Sequence, residues 1–376
     1  MSKKQNELSC RLGKVGGQAV LEGVMMKAGD RTVTSCRKPD GSIYVNDAKF
    51  VSVRQKHKFL NIPILRGVVN FIEMMKLSMQ TMTASAEAMG LEEEEETKFE
   101  KWLKKHFKAN IVDFIMIVGV VLAVALSLFL FLFLPNFISE LINKYVFAGG
   151  LGVWTAVTEG VLKVIIFLTY LWAVSLMPDI KRTFMYHGAE HKSIACFEAG
   201  DELTPENAKK HTRFHPRCGT SFMFLTILIG IFAGFFIKIV ITGLDTWAYT
   251  LIRLAILPIL MGLGYEVIRL AGKHDNVITR IMSAPGIWAQ RLTTKEPTED
   301  MLEIAIISLK CALRDDFPEF KEFYESRGWE KKDEEPSPAA EIAEETPVSN
   351  PDHAEEIFED VEATVAFKAK PTEEDV

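Results

Sequence analysis

Four apolar blocks constrain this chain more than anything else in it. They cover residues 111–134, 157–177, 220–241 and 251–270. Each holds about 20 residues or more, enough to cross a hydrocarbon core of roughly 30 Å as a helix. A buried core helix rarely runs so long without charge, so the reading is four transmembrane helices rather than a large soluble core. Charges inside are few and include Asp113, Lys163, Lys238, Arg253, Glu266 and Arg269, toward the block ends. So few intramembrane charges speak against a transporter, which needs paired ones at depth. Pro258, followed by Gly262 and Gly264, predicts a kink in the fourth block. Gly230 and Gly234 form a G-x-x-x-G spacing that permits close helix approach.

Basic residues flank these blocks unevenly. Lys98, Lys101, Lys104, Lys105 and Lys108 precede the first block, and seven more, from Lys181 to Arg217, separate the second from the third. Lys273, Arg280, Arg291 and Lys295 follow the fourth, whereas 135–156 and 242–250 hold Lys144 alone. Basic loops stay in the cytoplasm, so both termini and the loop 178–219 are expected there. No apolar signal segment opens the chain, and insertion is expected to use the internal blocks.

The net charge of −7 conceals two parts: from Glu330 onward stand 16 acidic and 4 basic residues, so the rest is mildly basic. A mildly basic body suits an anionic bilayer face, and the lack of a basic–aromatic platform excludes nucleic acid. Protein partners are not legible. The stretch 329–376, rich in Pro, Glu and Ala, predicts a disordered acidic tail. Five scattered cysteines without a CxxC pair indicate a reducing compartment.

The fold class expected is an α-helical integral membrane protein with a small α+β cytoplasmic N-terminal portion. That portion covers 1–110, the membrane domain 111–271, a cytoplasmic helical segment 272–328 and the tail 329–376. Residues 32–37 and 43–45, joined by Asp40-Gly41, predict a β-hairpin. Asn61 and Pro63 start a helix over 64–88 whose stripe of Ile64, Leu65, Val68, Val69, Ile72, Met75, Met79 and Met82 predicts an interfacial or span-packing helix. The acidic run 92–96 reads as a linker, and 290–313 as one capped amphipathic helix.

Chemistry concentrates in the loop 178–219, which holds four of the eight histidines. His187-Gly188-Ala189-Glu190-His191 places two imidazoles at i and i+4 on one helix face, the H-x-x-E-H arrangement. Glu190 lies about 60° around the axis from His187, where a base beside a metal belongs. A divalent metal ion, with zinc first in line, would take His187 and His191 and leave a position for water that Glu190 deprotonates. The third ligand stays open among His215, Cys218, Glu198 and Glu266; Glu266 has an alternative partner in Arg269 at i+3. Arg217 could hold a phosphate or carboxylate, and Cys218 beside His215 could be a nucleophile, though no oxyanion-hole signature accompanies it.

Several segments together resemble a bacterial membrane family, domain of unknown function 1385, the YqhQ-like proteins. They are GGQAVLEGVMM from Gly16, PILRG from Pro63, YHGAEHK from Tyr186, HPRCGTSF from His215, Gly264-Tyr265-Glu266, and Pro285-Gly286 with Gln290 and Leu292-Thr293-Thr294. The resemblance implies a metal-dependent enzyme in the bacterial inner membrane, with no reaction or substrate attached. It also draws in Glu22, as a ligand or a counter-charge to Arg217. The function expected is metal-dependent, hydrolytic chemistry at the cytoplasmic face, on a lipid head group, lipid-linked precursor or peptide. The alternative is a non-enzymatic scaffold or transporter component with a structural metal.

Overall fold

A computed structural model describes residues 11–90 and 111–318 except 242, 244, 245 and 274–276. The acidic run 92–96 and the tail beyond 318 lie outside the described residues. The described residues are mostly helical, with four helices among them long and apolar enough to cross a bilayer and one small N-terminal sheet.

The sheet is a four-stranded antiparallel meander, β1 (Val15–Val20), β2 (Gly23–Ala28), β3 (Arg31–Arg37) and β4 (Ile43–Lys49), in that spatial order. The β3–β4 hairpin is the predicted one; its turn is set by Gly41 at φ +87° and by Asp40, which accepts the Ser42 N–H at 2.9 Å. The β1–β2 hairpin was not expected. Its turn puts Glu22 at φ +49°, a strained conformation for a residue with a Cβ.

Strand side chains alternate between faces. Val24, Met26 and Val33 enter the main core; Val20, Met25 and Cys36 point the other way, toward Leu77, Met74 and Met82. The latter three belong to α1 (Leu65–Ala88), which covers one face of the sheet. The second face is closed by α5 (Pro178–Ala199) and α10 (Glu299–Ala312).

The stretch expected as one helix over 290–313 is two. Thr293 ends α9 (Val277–Thr293), the segment 294–298 runs without helical structure, and α10 restarts behind Pro297 and Thr298. Proline disfavours helix in the residue before it and supplies no N–H, which accounts for the break. Residues 304–312 of α10 are all buried, so α10 is a core helix rather than a surface one. Its Ser308 hydroxyl donates to the Val33 carbonyl at 2.7 Å, with the Val24 carbonyl 3.1 Å away.

The apolar helices are α2 (Ile111–Leu128) with α3 (Leu134–Tyr145), then α4 (Thr155–Val174) and, after α5 and the short α6 (Pro205–Lys210), α7 (Gly219–Val240) and α8 (Thr246–Lys273). A widened π-type turn, Phe129–Phe133, joins α2 to α3. Pro135 follows it; a proline ring clashes with the carbonyl four residues back, and local widening relieves that clash. Helix α8 runs on through Pro258. Large apolar side chains such as Phe232, Phe236, Ile239 and Leu251 face outward.

Glycines set two close approaches. A Cβ on Gly67 would lie 2.9 Å from the Gly262 Cα, so α1 and α8 touch backbone to backbone. In the G-x-x-x-G pair, Gly234 makes room for Tyr249 and Arg253, while Gly230 meets only Leu260.

Charges between the apolar helices are more organised than the sequence suggested. Glu159 accepts from Lys163 at 2.8 Å and also pairs with Arg253. Lys163 finds Glu159 one turn away on its own helix, and Arg253 joins them from α8, a partner that local sequence does not reveal.

Candidate metal centre

Helix α5 carries the H-x-x-E-H segment. It starts with Pro178 at its first position and Asp179 in its first turn, and ends at Gly200, whose φ of +80° suits glycine. The His187 and His191 rings stack edge to face with centroids 4.4 Å apart. Cys218, the residue just before α7, projects toward both. One ligand atom each from His187, His191 and Cys218 lies within 4.8 Å of the others, close enough together to hold a metal ion. The Cys218 Sγ to His187 Nε2 distance is 3.3 Å. A tetrahedral ion with ordinary Zn–N and Zn–S bonds would separate such atoms by about 3.5 Å.

Backbone carbonyls orient both rings. His187 Nδ1 lies 2.9 Å from the Thr293 carbonyl, and His191 Nδ1 2.6 Å from the Arg213 carbonyl. A carbonyl only accepts, so each Nδ1 carries a proton, and in the neutral ring that a metal would bind Nε2 keeps its lone pair. Metal-ligating histidines are held this way. Gly188 makes the first contact possible: a Cβ there would fall 2.0 Å from the Lys295 carbonyl oxygen.

The segment carrying Cys218 is held by Gln290, which is fully buried on α9. Its amide accepts the His215 N–H at 2.8 Å and donates to the His215 carbonyl at 2.7 Å and to Ser221 Oγ at 3.0 Å. Arg213 is tied at its side chain to Glu296 at 3.0 Å, and Glu296 also takes Lys192 at 2.5 Å.

Electrostatics inside the triad are those of an ion pair. Burial opposes a charged Cys218, but His187 and His191 outweigh it and hold the thiol well below its usual range. Burial likewise opposes a charged His187, but Cys218, Glu190 and the Thr293 carbonyl together outweigh it and raise that imidazole to about 9. Glu190 is buried beside them, with its carboxylate 3.8 Å from His187 Nε2. It rests against β1, where a Cβ on Gly17 would stand 3.0 Å from its Cγ.

The other expected residues lie outside the triad. His215 is near, its ring 5.6 Å from that of His191, but its Nε2 faces Glu198 at 3.5 Å. Glu198 also pairs with Arg217 and accepts the Gly13 N–H at 2.8 Å. Arg217 is thus spent on Glu198, and Glu22 is not its counter-charge. Glu22 pairs with Arg182 and accepts from the Tyr186 hydroxyl at 3.3 Å. Glu266 accepts from Nε and Nη2 of Arg66, with Arg269 at 4.0 Å. Gln290, Thr293 and Arg213 were not expected to serve the site. Two act through main-chain carbonyls, which no side-chain pattern reveals; Gln290 left one signal, an amide inside an apolar helix.

The model of the family described as protein of unknown function (DUF1385) matches residues 62–315. The chain belongs to the DUF1385 family. The chain is also similar to the uncharacterized protein YqhQ of Bacillus subtilis (strain 168), 35% identical over 305 residues, covering 80% of this chain and 92% of that protein. No solved structure matches. The triad residues His187, His191 and Cys218 all fall inside the stretch that matches the DUF1385 model.

Proposed function

We propose that this DUF1385 protein is a membrane-embedded, metal-dependent enzyme that performs hydrolysis at the cytoplasmic face. One observation carries the reading. Two imidazoles, each fixed through Nδ1 by a backbone carbonyl, present Nε2 to one another and to the Cys218 thiol. Three nitrogen and sulfur donors suit zinc, and a fourth position is left for water, as catalytic zinc sites require. A bound divalent ion would acidify that water toward neutral pH.

The chain's own residues supply the rest. His187, His191 and Cys218 hold the ion; Thr293, Arg213 and Gln290 fix their geometry. Glu190 stands where a base can take a proton from water, and its burial against β1 limits competition from bulk solvent. Four apolar helices and basic flanks support insertion with both termini in the cytoplasm. Helix α7 begins just after Cys218, so in this reading the triad lies at the end of a spanning helix. A substrate presented at the bilayer surface fits that place.

The second reading is a closed structural metal in a scaffold or transporter component. It needs a fourth protein donor. His215 turns to Glu198 instead, which favours the enzyme. The test is elemental analysis of purified protein, wild type against the double variant His187→Ala, His191→Ala. About one ion per chain in the wild type and a clear loss in the variant is expected. Equal content in both, or none in either, ends the metal reading.

A further inference from the structure

At the other end of the apolar helices lies a second polar cluster, unrelated to the triad. Along α7 it is about 30 Å from Cys218, since Lys238 stands 20 residues on. Helix α4 gives Thr155, Glu159 and Lys163; α7 gives Gly234 and Lys238; α8 gives Tyr249 and Arg253. Glu159 is 1% exposed and Lys163 8%.

Lys163 alone would neutralise Glu159, its Nζ lying 2.8 Å from the carboxylate. Arg253 joins the same oxygen. Lys238 donates to Thr155 Oγ1 at 2.5 Å and meets no carboxylate at bonding distance among the described residues. Lys238 and Arg253 both lie against the Tyr249 ring, 4.7 and 5.3 Å from its centre. A ring face offsets only part of the cost of burying a cation. Three cations thus face two carboxylates among the described residues, Glu159 in direct contact and Glu140 at longer range from Lys238, which leaves the cluster short of negative charge. The cradle depends on Gly234, where a Cβ would come within 2.8 Å of the Tyr249 hydroxyl. Glu159 Oε2 is buried without a hydrogen-bond partner, an acceptor left for a hydroxyl on a ligand.

We infer that Arg253 and Lys238, held against the ring of Tyr249, whose hydroxyl donates to the Gly234 carbonyl at 3.2 Å, bind the phosphate of an anionic ligand at the end of the bundle remote from the triad. The inference rests on the proposed insertion in a bilayer, where an unbalanced cation is costly and marks a binding site. It is independent of the metal. The ligand chemistry is a phosphate anion, and a lipid head group or a soluble phosphate could bring it.

Full-length protein in neutral detergent tests this. It is titrated with phosphatidylglycerol and with diacylglycerol of the same chains, read by native mass spectrometry, and with inorganic phosphate, read by calorimetry. Phosphatidylglycerol should bind the wild type and diacylglycerol should not. Lys238→Gln, which can still donate to Thr155, should weaken that binding about fivefold, the effect of one cation near an anionic lipid. Metal content should not change, and Lys144→Gln should bind as wild type does. Phosphate binding that Lys238→Gln weakens assigns the same groups to a soluble anion. Arg253→Gln is the second variant; if it fails to fold, Lys238→Gln decides. No binding of either anion, or equal affinity in wild type and Lys238→Gln, overturns the inference.

Discussion

Gln290 brackets the backbone of His215 on both sides, accepting its N–H at 2.8 Å and donating to its carbonyl at 2.7 Å. The bracket fixes a segment that holds His191 through the Arg213 carbonyl and then delivers Cys218. Gln290→Leu would leave buried groups of His215 unpaired, at about 1–3 kcal/mol each. Lower thermal stability and weaker metal retention against a competing chelator are expected together. Unchanged retention would separate Gln290 from the site.

Glu190→Gln keeps the size of the side chain and removes its basicity. The protein should hold as much metal as the wild type. Any hydrolytic activity should fall by about 100- to 10,000-fold, the usual contribution of a positioned base. Full activity in the variant would assign the proton to another group.

Ligand choice can be read one residue at a time. Cys218→Ala should lose metal as His187→Ala does, whereas His215→Ala and Glu266→Gln should retain it. His215 faces Glu198 and Glu266 is bound to Arg66. Metal loss in Glu266→Gln would contradict the geometry.

Gly188→Ala would drive a methyl to 2.0 Å from the Lys295 carbonyl oxygen, which is backbone and cannot swing aside. Overpacking of this kind costs about 1–3 kcal/mol, occasionally more. The helix and the segment 294–298 must part, and the His187–Thr293 bond should loosen with them. Thermal unfolding and metal content measured together check this.

Glu198 gives a pH dependence. Burial opposes its charge, but His215, the Gly13 N–H and Arg217 outweigh it and lower its pKa below the usual 4.5. A lowered folded pKa adds stability above the unfolded value, lost as pH falls through the folded one. Stability should therefore drop below about pH 4.5 in the wild type, and less steeply in Glu198→Gln. Parallel acid profiles would remove Glu198 from that role.

The features legible from the sequence were local ones. Four long apolar runs announce themselves, and His187 and His191 are one helical turn apart, so their convergence needs only helix geometry. The β3–β4 hairpin carries an Asp-Gly turn. The β1–β2 hairpin carries none: its turn is Leu21-Glu22, and Gly16 and Gly17 blur the alternation of β1. Long-range partners were not legible. Glu22 meets Arg182 and Glu266 meets Arg66 across 160 and 200 residues of sequence. Cys218 was one candidate among several because its approach to His187 depends on how α9 packs on α7.

The burial of α10 has a consequence for how the chain is made. The strands β1–β4 leave the ribosome first, yet the helix that closes their second face ends only at Ala312. At about 5–20 residues per second, that face waits on the order of ten to fifty seconds for its cover. All four apolar helices are synthesised in the interval. Nascent chains halted after α8 should therefore show β2 and β3 open to protease, and chains released past Ala312 should not. The first layer to be translated is the last to be sealed.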